Sequence, residues 1–488
     1  MKKLFWVFPI LFLIDNVLGL NGYQFTLFGV GIRIILFALS MGSLCLFCLY
    51  TAKKEHICLW KRIPGQLHIF DLLRPLDGFV AGFLLLNALW ATVIPVLKGG
   101  SLSYAINDFT TVLVLVLYFP CAFLIRTKQM DLASFYKWLY PILLLLALWH
   151  SVMYVGEILS PGFYVSYYDF IDIISFGTAV RTDVVLGFGI TRIIQVTSIL
   201  LIPAMLLALE KTASKLKIAT FGALALTLFA VLITYTKSIW YGVFAGLAVA
   251  MAGICLFTKE HAVRKRILAF CGALFLFFCL FNFGCLDNTV ISRAFNGSKT
   301  NTLSSLDTQI ADLQMQLDEM QSGDPTDTTD PSVGSDAESL SEQLKKLQSQ
   351  RQDISGTAEA NAQRAEQQNA LLEKWSESKL LGFGYGAYAE DCIRNERFPF
   401  MYESLIPALT MKLGLLGMLG WGIFVLALVV YAVKRLWKTP VRFWCWLGTA
   451  LAYAMAVQTN PFLFTFSGMS LMLYLLLPIA ETKENVEL

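Results

Sequence analysis

Apolar runs long enough to cross a bilayer recur along nearly the whole of this 488-residue chain, and they constrain its fold more than any motif does. Backbone groups in lipid find no water, so such runs fold as helices that satisfy their N–H and C=O groups internally. About 20 apolar residues cover the hydrocarbon core. On that measure twelve spans are predicted, at 4–20, 25–50, 76–97, 106–125, 136–157, 190–210, 216–235, 239–257, 267–285, 403–433, 443–457 and 462–480. A mean hydropathy of +0.62, with 56% hydrophobic and 15% charged residues, lies far from the soluble average. The chain is therefore expected to be an all-α polytopic membrane protein. Its net charge of +3 is too small to point to nucleic acid. The basic start, Met1-Lys2-Lys3, is signal-like but lacks an A-x-A-like cleavage site, so the first run reads as a retained helix.

Lys and Arg set the expected orientation, because cytoplasmic connections carry the basic excess. Lys53, Lys54, Lys61 and Arg62 follow the second span, and Arg126, Lys128 and Lys137 follow the fourth. Lys211, Lys215 and Lys217 follow the sixth; Lys259, Arg264, Lys265 and Arg266 the eighth; Lys434, Arg435, Lys438 and Arg442 the tenth. Every second connection is basic. This places both termini inside, and segments 158–189 and 286–402 outside.

Three regions are expected on this basis: nine spans over 1–287, an outer loop over 288–402 and three spans over 403–488. Within the loop, Leu306, Ile310, Leu313, Leu317 and Met320, then Leu340, Leu344, Leu347, Arg351 and Ile354, repeat at heptad spacing. They predict an antiparallel helical hairpin over 304–355, about 25 Å long at ~1.5 Å per residue. Its tip, Gln321 to Ala337, is acidic and cannot bury a core. A second outer segment, Ser160 to Gly189, mixes aromatic residues with Asp169, Asp172, Arg181 and Asp183, which suits an interfacial piece.

Chemistry-bearing residues are few. There is no Walker loop, no H-E-x-x-H and no second C-x-x-C beside Cys45-x-x-Cys48, which reads as core. Cys285 and Cys392 bracket the polar loop at positions that would allow a disulfide. His150 in the fifth span reads as a packed polar residue. Arg33, deep in the second span, needs a partner there, and Asp15 in the first is the one at hand. Arg192, Arg293 and Arg364 fall at outer edges, where a guanidinium either grips phosphate or snorkels to lipid headgroups. After a predicted amphipathic helix from Arg364 to Trp375 comes Gly382-Phe383-Gly384-Tyr385-Gly386, whose alternate glycines would allow exposed amides and an anion cradle. Glu403 at the edge of the tenth span reads either as a catalytic carboxylate or as an interfacial charge. Gly414 and Gly417 in that span predict close helix packing.

These last residues carry a resemblance. Arg364, the Gly382–Gly386 turn eighteen positions on, and the Gly414–Gly417 span resemble the membrane domain of O-antigen ligases and polymerases. Glu403 and Ser404 stand where that family has a His-Asn or similar pair. Thr191-Arg192, followed by Gln195 and Ser198, resembles the family's Arg before an Asn-bearing helix. Thr236-Lys237-Ser238 resembles its T-x-S-R turn, with Ile239 in place of Arg, and Thr459-Asn460-Pro461-Phe462 is similar to the opening of its last span.

The resemblance implies a bacterial inner-membrane glycosyltransferase that takes polyprenyl-pyrophosphate-linked sugars, with no metal or other cofactor. A sugar hydroxyl would attack the donor's anomeric carbon with inversion. On this view Arg192, Arg293 and Arg364, with Gly382, Gly384 and Gly386, are expected to hold pyrophosphate, and Glu403 with Arg364 to act in catalysis; Asp169, Asp172 and Asp183 are weaker bases. The absence of His at the pair position favours a polymerase of repeat units over a ligase that moves finished glycan. Membrane lipids and a chain-length regulator or other assembly protein are the expected partners, the hairpin serving such a partner. A flippase for lipid-linked sugars also fits twelve spans, but the two halves show no internal repeat.

Overall fold

The structure, a computed structural model, describes residues 4–18, 23–24, 26–27, 30–58, 66–163, 165–166, 169, 180–181, 195–286, 290–291, 301–322, 340–341, 343–344, 347–348, 351, 362–393, 396 and 398–480. Its helices, in chain order, are α1 (Val7–Leu18), α2 (Ile32–Lys54), α3 (Pro75–Leu97), α4 (Leu102–Thr110), α5 (Tyr118–Arg126), α6 (Leu132–Leu159), α7 (Leu201–Ser214), α8 (Ile218–Leu232), α9 (Lys237–Phe257), α10 (His261–Cys279), α11 (Asn301–Ser322), α12 (362–376), α13 (Leu405–Leu436), α14 (Pro440–Ala456) and α15 (Phe466–Ala480). Among the described residues, strands are confined to two antiparallel pairs of two residues each, Tyr23–Gln24 with Val180–Arg181 and Thr26–Leu27 with Val30–Gly31.

The protein is a helical, polytopic membrane protein. Among the described residues seven helices are long and apolar enough to cross a bilayer, and eight if α4 and the Val112–Arg126 helix, bent by 45°, make one span. Each of the twelve predicted positions holds a helix, but Leu4–Val17, Ile218–Leu232 and Phe466–Ala480, and Pro440–Ala456 with its 17 residues, fall short of the length that ~20 residues supply. The second helix begins at Ile32 rather than near 25, because short strands occupy the residues before it.

The chain divides into two compact units: one of 1–184, 193–279 and 367–488, the other of 185–192 and 280–366. Residues 367–402, expected in the outer loop, thus cluster with the spans.

Within the first unit the closest helix crossing is α9 on α14. Gly242, Gly246 and Ala250 lie one turn apart on α9 and face Gly448 and Ala452 of α14. A Cβ on Gly246 would stand 2.4 Å from the Gly448 carbonyl oxygen. Small residues let two backbones approach where lipid offers no hydrophobic drive. Gly246→Leu is expected to lower thermal stability in detergent by about 1–3 kcal/mol through overpacking. Gly422→Leu is the control: a Cβ there meets nothing within 4 Å, and the unfolding midpoint should not move.

Charges inside this unit are paired. Arg33 donates to Asp15 at 2.8 Å, the partner expected for it. Arg126 lies buried and donates through both terminal nitrogens to Asp77, at 2.6 and 2.8 Å; Tyr118 adds a third bond to the same carboxylate at 2.7 Å. Such bidentate pairing neutralises a guanidinium that cannot shed its proton, while its buried Nε has no acceptor among the described residues. His150 is fully buried, its Nδ1 on the Leu146 carbonyl and its Nε2 on the Ser198 hydroxyl, each at 3.0 Å. Cys285 and Cys392, considered as a disulfide pair, fall in different units, Cys285 in the second and Cys392 in the first.

In the second unit, α11 forms the first predicted hairpin arm, and residues 340–341, 343–344, 347–348 and 351 of the second arm are helical. Arg351, the polar member of the second heptad row, pairs with Asp307 near the start of the first. An antiparallel hairpin brings those two positions together.

Candidate functional site

The predicted glycine turn lies in the first unit, in the non-helical stretch between α12 and α13, and its contacts explain its sequence. α13 is broken at Gly414, whose φ of 60° and ψ of −173° interrupt the helical ladder. A break strands the amides of Leu415 and Leu416 and the carbonyls of Met411 and Lys412, which lipid cannot satisfy. The turn satisfies all four. Leu415 and Leu416 donate to the carbonyls of Lys379 and Leu380, at 2.9 and 3.0 Å; Phe383 and Gly384 donate to those of Met411 and Lys412, at 3.1 and 2.8 Å.

Gly382, Gly384 and Gly386 all have positive φ and press on backbone or proline. A Cβ on each would come within 2.5 Å of the Lys412 carbonyl oxygen, 2.6 Å of the Pro95 ring and 2.3 Å of the Ala105 nitrogen, respectively. Gly414 meets the Gly382 nitrogen in the same way, so the expected helix–helix seam at Gly414 is a helix–turn seam.

This arrangement corrects the anion-cradle expectation. The three amides that would have faced a phosphate are spent inside the protein. Gly382 N–H donates to the Ser378 carbonyl at 2.8 Å, Gly384 N–H to that of Lys412, and Gly386 N–H to the Asp108 carboxylate at 2.9 Å. Positive charge nonetheless stands close by. The ammonium groups of Lys98 and Lys374 lie 5.7 and 5.3 Å from the centre of the Phe383 ring.

Asp108, on α4, makes the most deeply buried ion pair among the described residues. Its partner is Lys412 on α13, 2.5 Å away, each side chain 2% exposed. The Lys412 ammonium also lies over the rings of Phe400 and Phe464, at 5.6 and 5.1 Å from their centres. Tyr385 and Trp421 both donate to the side-chain oxygen of Asn87, whose own amide donates to the Phe83 carbonyl at 2.6 Å. The turn is thus fixed by α3, α4 and α13 together.

Glu403 sits half-buried just before α13, and a residue unnoticed in the sequence governs it. Gln367, fully buried on α12, accepts the backbone N–H of Glu403 at 3.1 Å and that of Ser404 at 3.4 Å through one carboxamide oxygen. Gln368 donates to the Ser404 hydroxyl at 3.0 Å. The buried side-chain nitrogen of Gln367 has no acceptor among the described residues. Leu371, Ala389, Tyr402, Ala408 and Met411 form the apolar support beneath this corner. Burial pushes the Tyr402 phenol well above its ordinary range, so it stays a neutral hydroxyl that accepts the Ala389 N–H at 2.7 Å.

The corner is tied to two other motif segments. Leu405 N–H donates to the Gln458 carbonyl at 3.2 Å, and two residues on, the Asn460 amide donates to the Ser238 hydroxyl at 2.7 Å. Arg364 lies half-buried in the first turn of α12, in the second unit by contacts. Arg192 and Arg293 fall outside the described residues, as do Asp172 and Asp183; Asp169 is exposed. Among the described residues no three His, Cys, Asp or Glu side chains gather as a metal site.

Two signals in the sequence pointed to what was missed. Lys412 and Asp108 are ionisable residues within apolar stretches, which mark buried pairs or functional sites by default. Gln367 had no such mark, since its role depends on where α13 begins.

No family model, curated protein or solved structure matches the chain.

Proposed function

We propose that the chain is a polysaccharide polymerase that joins polyprenyl-pyrophosphate-linked oligosaccharide repeat units at the outer face of a bacterial cytoplasmic membrane. In this reading all twelve apolar helices cross the bilayer, the basic connections face inward, both termini are inside and the hairpin lies outside. The observation that carries it is the hydrogen-bonded chain from Gln367 through Glu403 and Ser404, Leu405 and Gln458, to Asn460 and Ser238. It gathers segments that resemble one family's motifs from positions up to 222 residues apart.

The chemistry follows from the resemblance, with Glu403 at this corner. A hydroxyl of the acceptor sugar attacks the anomeric carbon of the donor, the new C–O bond forms as the bond to pyrophosphate breaks, and the pyrophosphate leaves with the electron pair. Glu403 takes the hydroxyl proton as general base. Cations stabilise the charge that develops on the leaving group. Arg192, Arg293 and Arg364 are assigned that work, with Lys98 and Lys374 beside Phe383 adding to it. Gly382, Gly384 and Gly386 hold the backbone in place instead of binding the anion. The activated donor carries its own driving force, so no nucleotide is consumed outside.

The test is Arg364→Ala, read from the length distribution of the surface glycan. Single-repeat products should accumulate while lipid-linked repeats still reach the outer face. Unchanged long chains would remove Arg364 from the site. Long chains that remain on the lipid carrier would identify a ligase instead.

A further inference from the structure

A second region of the first unit has the makings of a binding site. A cavity of about 610 Å³ opens between α1, α2, the Val112–Arg126 segment, α6 and α15. Its walls are almost wholly apolar and reach residues such as Phe12, Leu44, Leu143 and Leu477 that are otherwise buried in the core. Inside it, polar groups are already engaged: the Asn16 amide donates to the Ser470 hydroxyl. Side chains facing an empty volume lose their dispersion contacts, so in a membrane such a space is filled by hydrocarbon. Taking the ~30 Å³ of a liquid water as yardstick, it has room for roughly twenty methylene-sized groups, which is one long chain.

One end of the cavity is different. Asp131 is the one charged residue among those that line it, with Gln129 and Ser134 beside it. Asp131 caps α6, accepting from the Ala133 and Ser134 amides at 3.1 and 3.0 Å and from the Ser134 hydroxyl at 2.9 Å. The Ser134 hydroxyl first, then those amides, hold its carboxyl below the usual carboxylate range, so it is ionised. As the one charge that lines this apolar cleft, the carboxylate repels an anionic headgroup and attracts a cationic one that can donate hydrogen bonds. Lys137, in the second turn of α6, interacts with the charge of Asp131 but does not line the cavity.

We propose that this cavity binds one phospholipid with a primary-ammonium headgroup, one of its two acyl chains among α1, α6 and α15, the other in the surrounding lipid, and its ammonium on Asp131. The site is distinct from the Glu403 corner, and a doubly charged pyrophosphate carrier is a poor match for it on charge.

The full-length protein, purified in detergent and titrated by native mass spectrometry, tests this. The probes are phosphatidylethanolamine, phosphatidylcholine and phosphatidylglycerol with identical chains. One phosphatidylethanolamine should be retained per protein, at least tenfold more tightly than either other lipid. Leu143→Trp, which fills the cavity, should abolish that retention. Asp131→Asn keeps the helix cap and should erase the preference for ethanolamine over choline while a lipid still binds. Equal retention of all three lipids, tighter phosphatidylglycerol, no retained lipid, or a headgroup preference that survives Asp131→Asn would each overturn the proposal. So would full retention in Leu143→Trp.

Discussion

Glu403→Gln should slow chain extension by about 100- to 10,000-fold, the usual contribution of a positioned general base, while leaving the protein folded. The substitution is nearly isosteric and keeps a polar group at the start of α13, removing the negative charge and with it the capacity to take a proton. Both backbone bonds that fix the corner, from Glu403 and Ser404 to Gln367, involve main-chain nitrogens and survive the change. The measurement is polymer formed from lipid-linked repeats by membranes that hold matched amounts of protein. A Glu403→Gln protein that makes full-length chains at the normal rate would show that this carboxylate is an interfacial charge and not the base.

Lys412→Met should bring the largest loss of stability of any single change considered. It leaves Asp108 buried, with the Gly386 N–H as its remaining partner, where Lys412 had neutralised it at 2.5 Å. Removing one member of a buried ion pair typically costs about 3–5 kcal/mol, because the other charge is left uncompensated. Replacing both members by apolar residues of similar volume is often neutral, so Lys412→Met with Asp108→Leu should recover most of the loss. Thermal unfolding of the two single variants and the double variant in detergent gives the coupling directly. If Lys412→Met unfolds at the normal temperature, the pair is not what seats the turn against α4. A double variant as damaged as the single one would instead show that the Gly386 bond to Asp108 carries the contact.

The two predictions address different properties of the same segment. The stretch between α12 and α13 supplies Glu403 at one end, and at the other it repairs the break at Gly414 with four backbone bonds. Within a membrane, non-helical backbone is tolerated only where protein supplies every partner. That requirement explains three positive-φ glycines within five residues better than ligand binding does.

Much of this protein is determined by its sequence alone, because the governing physics is local. Hydropathy sets which stretches become helices, since each can satisfy its backbone without a neighbour. The first heptad row marked the helix α11, and the burial cost of Arg33 demanded the Asp15 found 18 positions away. The tertiary structure decided the rest. Asp108 and Lys412 are 304 residues apart, and nothing local joins them. The glycine turn looked like an anion cradle because exposed amides are what alternate glycines allow in isolation. Whether an amide is exposed depends on which acceptors arrive from elsewhere in the chain, and here the Ser378 and Lys412 carbonyls and the Asp108 carboxylate reached all three.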